Sequence, residues 1–165
     1  MKIEVLRLSH RLRRDPRIST HCALVARAFG SSKIYYSGEK DHALELSVNK
    51  VICNWGGNFS IEYTKNPLQL IKQKKKQGFT IVHLTMFGKF KDIKSNKLLI
   101  LIGSEKVPIE YYKISDYNIA ITNQPHSEVS ALAVFLDNLK IKTNFNNAKQ
   151  KIIPMKSGKK LVTFK

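Results

Sequence analysis

The sequence contains 165 residues, of which 42% are hydrophobic, and this is enough material for the core of one domain of ordinary size. Its 29 lysines and arginines outnumber 12 aspartates and glutamates, so the formal net charge is +17. This excess of positive charge is typical of a protein that binds nucleic acid. A peripheral membrane protein is the competing interpretation, but the sequence has no lipidation motif and no basic amphipathic helix with a bulky aromatic face.

The sequence also argues against secretion, membrane insertion and metal binding. No apolar stretch approaches the ~20 residues of a membrane span, and the arginine-rich N-terminal region does not resemble a signal peptide. Cys22 and Cys53 stand alone, without a CxxC pair or clustered histidines, which argues against a disulfide framework or a metal site. We therefore expect a cytoplasmic protein that uses neither a membrane nor a metal.

In residues 2–77, stretches typical of strands alternate with stretches typical of helices. The first are a strand over 2–8, an arginine-rich loop over 9–17, and a short helix that begins at Ser19 or Thr20 and ends before Gly30. A strand over 33–36, a helix over 39–54 and a turn at Trp55-Gly56-Gly57 follow. The last are a strand over 59–63, whose alternation suits a sheet edge, and a helix from Asn66 to Gln77 with Pro67 in its first turn. Four lysines lie at the end of this last helix, where we expect them to point into solvent.

Three short apolar runs follow, over 80–84, 98–102 and 117–121. Continuous apolar runs, as opposed to alternating ones, are typical of strands that are covered on both faces in a parallel sheet. Each run opens into a loop of small and polar residues, over 85–88, 103–108 and 122–128. Because ligands of parallel sheets bind outside the carboxyl ends of the strands, these loops predict a pocket made of backbone amides and carbonyls. Such a pocket suits a flat heteroaromatic ligand better than a polyphosphate.

The helix predicted over 127–139 has almost no polar face. A helix that is apolar all round must be covered all round. One side can pack on its own sheet, and the other most easily packs on a second copy of the chain through a two-fold interface. Burial of the whole helix inside a single chain is the alternative.

The alternation of strands and helices predicts an α/β fold, with a mostly parallel sheet and helices on both faces. We expect a single domain over 1–140. Residues 141–165 are polar and rich in asparagine and lysine, and we expect a basic C-terminal extension of the same domain there, either an extended arm or a final strand.

Few residues suggest a catalytic centre by themselves. His126, before the last helix, is a candidate general base, or only a capping or loop-packing group. The arginines between Arg11 and Arg17 are interrupted by Asp15-Pro16; they form either a solvated surface or a site that binds phosphate or ribose oxygens bidentately. The sequence lacks a Walker A loop, a dinucleotide-binding glycine loop and a GxSxG elbow.

Five segments together resemble the archaeal tRNA (cytidine-56) 2′-O-methyltransferases, a family within the SPOUT methyltransferases. In order along residues 5–139 they are LRLSHRLRRDPRISTHCALVARAFG, the Trp55-Gly56-Gly57 turn, HLTMFG, IGSEKVP and NIAITNQPHSEVSALAVFLDNL. The resemblance implies a deep trefoil knot in the C-terminal part of the sheet, an obligate homodimer, and tRNA as the substrate.

The resemblance also implies that the three strand-end loops bind S-adenosylmethionine, the methyl donor of the family. The residues at the matching positions are Leu84, Thr85, Met86, Gly103, Ser104, Glu105, Lys106, Val107, Ile121, Thr122, Asn123, Gln124, Pro125, His126, Ser127 and Glu128. These are the loops in which the apolar runs alone predict a pocket.

The implied reaction is methyl transfer to the 2′-oxygen of cytidine 56 in the T-loop of tRNA. A ribose hydroxyl is a poor nucleophile, so the site must align it with the S–CH₃ bond and help to remove its proton. Related SPOUT enzymes have an arginine on the first helix for this step, but that position is Leu24 here. We therefore predict Arg17 as the catalytic arginine, with Arg11 and Arg14 as substrate-binding residues. Ser9 stands where the family pattern has glycine.

A non-catalytic, basic RNA-binding protein with a relic cofactor pocket is the alternative function. The intact GSEKVP and TNQPHSE loops favour the enzyme, because a relic is expected to lose the small residues that let a ligand approach the backbone.

Overall fold

The computed structural model of the protein describes residues 1–14, 16–103 and 106–164. Its elements, in chain order, are β1 (Lys2–His10), α1 (Pro16–Ala28), β2 (Lys33–Gly38), α2 (His42–Trp55), β3 (Ser60–Tyr63), α3 (Pro67–Lys76), β4 (Thr80–Lys89), β5 (Lys97–Ile102), α4 (Ile109–Ile114), β6 (Tyr117–Ile119), α5 (Glu128–Asn138), β7 (Gln150–Ile153) and β8 (Lys160–Thr163). Within these described residues, no helix is long and apolar enough to cross a membrane.

Six strands form one sheet in the order β3-β2-β1-β5-β4-β6, and each neighbouring pair is parallel. The predicted α/β class and parallel sheet are therefore confirmed. The strand β4 lies between β5 and β6, so the three apolar runs are neighbours in space as well as in sequence. Their carboxyl ends meet at one edge of the sheet, which we call the carboxyl edge. The strand β3 lies at the sheet border, as its alternating sequence predicts.

The core consists of two clusters, one on each face of the sheet. Residues of α1, α2 and α5 pack in the first cluster, and residues of α3 and α4 pack in the second. In β5, Leu98, Ile100 and Ile102 belong to the first cluster, whereas Leu99 and Leu101 belong to the second. Both faces of this strand are thus covered, which is why its sequence is apolar at every position and not alternating.

Two predicted element boundaries differ from the structure. The helix α1 begins at Pro16 and not at Ser19 or Thr20; the Ser19 hydroxyl does not cap it but lies 2.8 Å from His10 Nδ1 in a buried contact. The strand β4 continues through the predicted loop 85–88 to Lys89, whose carbonyl accepts a hydrogen bond from Ala120 N at 3.2 Å. The longer β4 comes from contacts with β6, about thirty residues further along the chain, where Lys89 pairs with Ile119.

The lysines at the end of α3 do not all point into solvent, so that prediction is wrong for Lys74. This side chain is buried and forms an ion pair with Glu4 of β1. Its ammonium also lies 5.1 Å from the ring centre of Tyr35 and 5.0 Å from that of Phe79. The physical reason is that a carboxylate on the neighbouring strand and two aromatic faces together replace water around the charge.

The helix α5 is buried on one side only within a single chain. Ala131, Leu132, Phe135 and Leu136 are buried, and the helix packs against α1 and β4. Val134 is 44% exposed, so the alternative of full burial inside one chain is wrong. An apolar position of α5 is left facing outward.

The C-terminal extension forms a two-stranded antiparallel hairpin of β7 and β8, separate from the main sheet. It is fixed to the end of α2, because Lys149 N donates to Asn54 O at 3.0 Å and Gly57 N donates to Asn146 O at 2.9 Å. The trefoil knot that the family resemblance implies stays a prediction.

Candidate functional site

A cavity of about 370 Å³ opens at the carboxyl edge, between the end of β5, residues 83–87 of β4 and the segment 125–131. Its walls are formed by His83, Leu84, Thr85, Met86, Phe87, Ile102, Gly103, Val107, Tyr112, Pro125, His126, Glu128 and Ala131. Its position agrees with the rule that parallel sheets bind ligands beyond their strand ends. Its volume falls within the ~300–1,000 Å³ of ordinary ligand sites.

The structure brings part of the predicted loop set to this cavity. Eight of the predicted residues lie on its walls: Leu84, Thr85, Met86, Gly103, Val107, Pro125, His126 and Glu128. Six others do not line it: Lys106, Ile121, Thr122, Asn123, Gln124 and Ser127. Ser104 and Glu105 fall outside the described residues.

Two residues that do not line the cavity, Asn123 and Ser127, instead fix the segments that do. The Asn123 side-chain amide donates to the carbonyls of Met86, at 2.6 Å, and of Gly88, at 3.2 Å. These bonds tie the 122–124 segment to β4. Ser127 is the N-cap of α5, since its hydroxyl accepts from Val129 N at 3.2 Å. His126 is therefore not the capping group; its Nδ1 lies 3.1 Å from the carbonyl of Ser127.

Two glycines let the walls approach one another closely. A Cβ on Gly88 would lie only 2.6 Å from backbone atoms of Asn118 and Ile119, so β4 can run beside β6 here only without a side chain. A Cβ on Gly103 would collide with Val107 Cγ2. The sequence prediction that small residues shape these loops thus has a steric basis.

His83, Tyr112 and Asn118 form a cluster at the back of the cavity, and the sequence pattern did not predict it. His83 is 1% exposed, and its Nδ1 lies 3.0 Å from Asn118 Oδ1. The ring of Tyr112 meets the His83 ring edge to face with centroids 4.6 Å apart, and Asn118 Nδ2 donates to the Tyr112 carbonyl at 3.0 Å. Burial lowers the pKa of His83, and the Asn118 bond only partly opposes this, so the imidazole is neutral at pH 7.

The sequence pattern also did not predict an ion pair that fixes Glu128, the carboxylate that the described residues bring to the cavity wall. Arg7 of β1 is completely buried, and its Nη2 lies 3.0 Å from Glu128 Oε1. Arg7 Nη1 also donates to the carbonyl of Leu8 at 2.6 Å. A buried guanidinium therefore holds the Glu128 side chain, which is 25% exposed, in place at the cavity wall.

Arg11 and Arg14 lie on the loop after β1, and Arg17 lies in the first turn of α1; all three are at the same carboxyl edge but outside this cavity. Arg14 N donates to Arg11 O at 3.3 Å in a turn, and Leu12 N donates to Glu39 Oε2 at 2.5 Å. Arg14 and Arg17 are exposed, and Arg11 is half-buried. Arg17 lines a separate cavity of about 240 Å³ beside Thr20, His21 and the start of α2.

A buried polar network supports this arginine loop from below. His10 joins Ser19, at 2.8 Å, to Asp41 Oδ2, at 3.1 Å, and Asp41 Oδ1 accepts from Leu44 N as the N-cap of α2. Burial alone would raise the pKa of Asp41, but the hydrogen bonds from Leu44 N and His10 lower it overall. Ser9 has a φ of +56°, a left-handed conformation, which explains why glycine suits this position.

The part of the chain that the structure describes contains no group of three or more His, Cys, Asp or Glu side chains arranged to hold a metal. Among the described residues, the walls of the cavity thus present apolar and aromatic side chains, two histidines and the carboxylate of Glu128.

Comparison with known proteins identifies the family. Residues 55–162 match the family model described as tRNA ribose 2′-O-methyltransferase, aTrm56, which covers more than half of the 165 residues. The chain belongs to this family. Its fold is therefore that of the aTrm56 family, as the sequence resemblance predicts.

Relatives in the aTrm56 family match almost from end to end. A protein of Thermococcus kodakarensis named tRNA (cytidine(56)-2′-O)-methyltransferase is 49% identical over 174 residues, covering 97% of this chain and 96% of the relative. A protein of Methanocaldococcus jannaschii with the same name is 47% identical over 175 residues, covering 98% and 97%.

Solved structures with the same fold are more distant in sequence. The TrmH/SpoU tRNA modifying enzyme of A. aeolicus has a TM-score of 0.61 at 18% identity, covering 82% of this chain and 72% of that one. The SpoU methyltransferase AviRb of Streptomyces viridochromogenes, solved with AdoMet, has a TM-score of 0.67 at 14% identity, covering 87% and 59%. At these identities the likeness concerns the fold alone, and it confirms the SPOUT-like class.

Proposed function

We propose that this protein transfers a methyl group from S-adenosylmethionine to the 2′-oxygen of cytidine 56 in tRNA. The observation that carries this proposal is the similarity to relatives named for this activity, which are 47–49% identical and cover nearly the whole chain. No observation favours the non-catalytic alternative. The compartment expected from the sequence remains the cytoplasm.

The cavity at the carboxyl edge fits the methyl donor. Gly103 lies on its wall, and the absence of a side chain there lets Val107 pack directly against the end of β5. The residues that would hold S-adenosylmethionine are the eight predicted residues on the walls together with His83 and Tyr112 at the back. When bound, this cofactor supplies a methyl group activated by a positively charged sulfur.

Glu128 gives the cavity a fixed hydrogen-bond acceptor. Its residue lines the cavity and its carboxylate is held by Arg7. The ion pair is neutral overall, but a carboxylate oxygen still accepts a hydrogen bond from an ammonium group, and the donor carries one on its amino-acid part.

The arginine loop acts on the tRNA in this proposal. Arg11 and Arg14 bind backbone phosphates, for which the planar guanidinium fork is well suited. Arg17 is the catalytic arginine: its positive charge next to the ribose 2′-hydroxyl favours the ionised form and so assists proton loss. Lys106, Ile121, Thr122, Asn123, Gln124 and Ser127 shape or support the loops, and Ser104 and Glu105 keep their predicted cofactor role.

A homodimer reconciles the position of Arg17 with this chemistry. In one chain Arg17 lines its own small cavity and not the cofactor cavity. A groove of about 550 Å³ runs between α5 and residues 90–94, where Phe90 is 67% exposed and Val134 is 44% exposed. We place the second copy on this apolar face, so that the partner subunit's Arg17 completes each site.

The activity is tested by incubating the protein with unmodified tRNA and labelled methyl donor, and then mapping the labelled ribose. We expect one 2′-O-methyl group, at cytidine 56, and none on a transcript in which that nucleotide is a 2′-deoxycytidine. Absence of label, or label at another nucleotide, contradicts the proposal.

The shared site is tested by mixing two inactive variants, Arg17→Ala and Gly103→Val. If Arg17 acts across the dimer, a mixed dimer combines an intact cavity with an intact arginine, and co-refolding the two variants restores activity. If Arg17 acts on its own chain, no mixture is active. Separately purified variants assayed without subunit exchange are the control.

A further inference from the structure

A second and larger cavity, of about 650 Å³, lies between the ends of α1 and α2 and the C-terminal hairpin. Because α1 and α2 run back against the parallel strands, their ends lie at the edge opposite the cofactor cavity. The six residues of β5 alone span about 20 Å at ~3.3 Å per residue, so the two cavities are well separated. No step proposed so far uses this second cavity.

The walls of this cavity are fixed by specific contacts. Arg27 Nη2 donates to the carbonyls of Trp55 and Gly56, each at 2.6 Å, and its guanidinium lies 4.8 Å from the centre of the Phe145 ring. Gly56 has a φ of +65°, and a Cβ there would lie 2.6 Å from Ala148 N. The Trp55-Gly56-Gly57 turn is thus the surface on which residues 144–148 dock.

The cavity exposes aromatic rings beside amides and a lysine. Phe145 is 39% exposed and Phe164 is 49% exposed, with Trp55 on the wall between α2 and the hairpin. Asn147 and Gln150 bring side-chain amides to the same walls, and Lys151 brings a positive charge. Aromatic faces with amides are the groups that stack on a nucleobase and bond its edge, while a lysine binds the adjoining phosphate.

The local charge of the surrounding segment favours a polyanion as the occupant of this cavity. Residues 140–165 contain no aspartate or glutamate. They contain eight lysines, at 140, 142, 149, 151, 156, 159, 160 and 165. Two copies that met through this segment would bring lysines against lysines with no carboxylate from residues 140–165 between them, whereas the phosphates of RNA would be attracted.

We propose that this cavity binds an unpaired nucleotide of the tRNA, distinct from the one that is methylated. Its base stacks on Phe164 and Phe145, and its phosphate contacts Lys151. The inference rests on tRNA being the substrate, as proposed above, and it assigns the C-terminal hairpin a role in holding the RNA far from the reaction centre.

The test compares Phe164→Leu, which keeps an apolar side chain but loses the stacking face, with Phe164→Tyr, which keeps both. Phe164→Leu should raise the KM for tRNA about tenfold, whereas kcat and the KM for S-adenosylmethionine stay unchanged and Phe164→Tyr stays close to wild type. Lys151→Ala should weaken tRNA binding and reduce the slope of log affinity against log salt by about one. Lys72→Ala, an exposed lysine on α3 across the sheet, is the matched control and should change neither value.

Direct tRNA binding, measured by a fluorescence titration without methyl donor, separates this inference from the proposed activity. If wild type transfers methyl groups but Phe164→Leu binds tRNA like wild type, the inference is overturned and the activity stands. If wild type binds tRNA without methylating it, the activity fails and the Phe164 series still decides the cavity. A change of molar mass by light scattering in Phe164→Leu, with unchanged tRNA binding, would assign the cavity to a second copy and overturn the inference.

Discussion

The buried ion pair between Lys74 and Glu4 allows a quantitative prediction of stability. The side chains are only 9% and 4% exposed, so each charge depends on the other in place of water. Truncating one partner of such a pair costs about 3–5 kcal/mol, because the remaining charge stays buried without compensation. Lys2 Nζ, 3.4 Å from Glu4 Oε1, partly compensates, so we expect Lys74→Met to lower the free energy of unfolding by about 3 kcal/mol, at the lower end of that range.

Urea denaturation at pH 7, followed by tryptophan fluorescence and circular dichroism, measures this loss. Lys72→Met, an exposed lysine on the same helix, is the control and should change stability by less than about 0.5 kcal/mol. The double variant with Glu4→Leu should recover most of the loss, since no charge is then left buried. Equal destabilisation in the Lys72 and Lys74 variants, or no recovery in the double variant, would refute the reasoning.

The pKa of Lys74 adds an independent signature at alkaline pH. Burial by itself lowers this pKa, but the contacts with Glu4 and Tyr35 together outweigh burial and raise it above the ordinary value of 10.5. A cation whose pKa is higher in the folded state stabilises the fold below the unfolded pKa, and this contribution disappears as the pH rises through the folded one. Wild type should therefore lose more stability above about pH 10.5 than Lys74→Met does.

Three further predictions concern the site. Gly103→Ala should weaken S-adenosylmethionine binding by about 1–3 kcal/mol, measured by calorimetry, because the new Cβ meets Val107 Cγ2. Adding Val107→Ala should restore the affinity. A double variant that binds no better than the single one would contradict this prediction. Ser9→Gly should raise the free energy of unfolding, measured in urea melts, by about 0.5–1 kcal/mol. Glycine relieves about 1–2 kcal/mol of left-handed backbone strain, which exceeds its entropy cost of about 0.5–1 kcal/mol. A loss of stability would refute this prediction. His83 is buried with a lowered pKa, so stability should fall as the pH drops below about 6.5, and in His83→Gln this fall should be smaller.

The carboxyl-edge cavity could be predicted from the sequence because its determinants are local. Strand β5 is apolar at every buried position, and the following Gly103 marks a loop that a Cβ would block. Asn66 and Pro67 at the start of α3, and Ser127 before α5, act as the caps that their residue types predict. The order of β5, β4 and β6 then follows in part from the general rule that neighbouring runs in sequence are neighbours in the sheet.

The buried charges could not be predicted, since burial of a charge depends on a partner far away in the chain. Arg7 and Glu128 are more than a hundred residues apart, and Glu4 and Lys74 are seventy apart. Locally, each of these side chains looks like one on a solvated surface. The extension of β4 to Lys89 has the same origin, because its last pairing partner is Ile119 on β6.

These buried pairs change what the net charge means for RNA binding. Three of the positive side chains are buried in contacts within the fold and are not available to bind RNA. Arg7 pairs with Glu128, Lys74 pairs with Glu4, and Arg27 donates to carbonyls at the end of α2. The charge left for RNA is of two kinds at two edges, arginines on the loop after β1 and lysines in residues 140–165. A guanidinium fork fixes the orientation of a phosphate or ribose, whereas a lysine attracts the backbone with little demand on geometry. The arginines lie at the edge where the methyl group is transferred, and the lysines lie at the far edge. This division is expected of a surface that must align one nucleotide and only hold the rest of the tRNA.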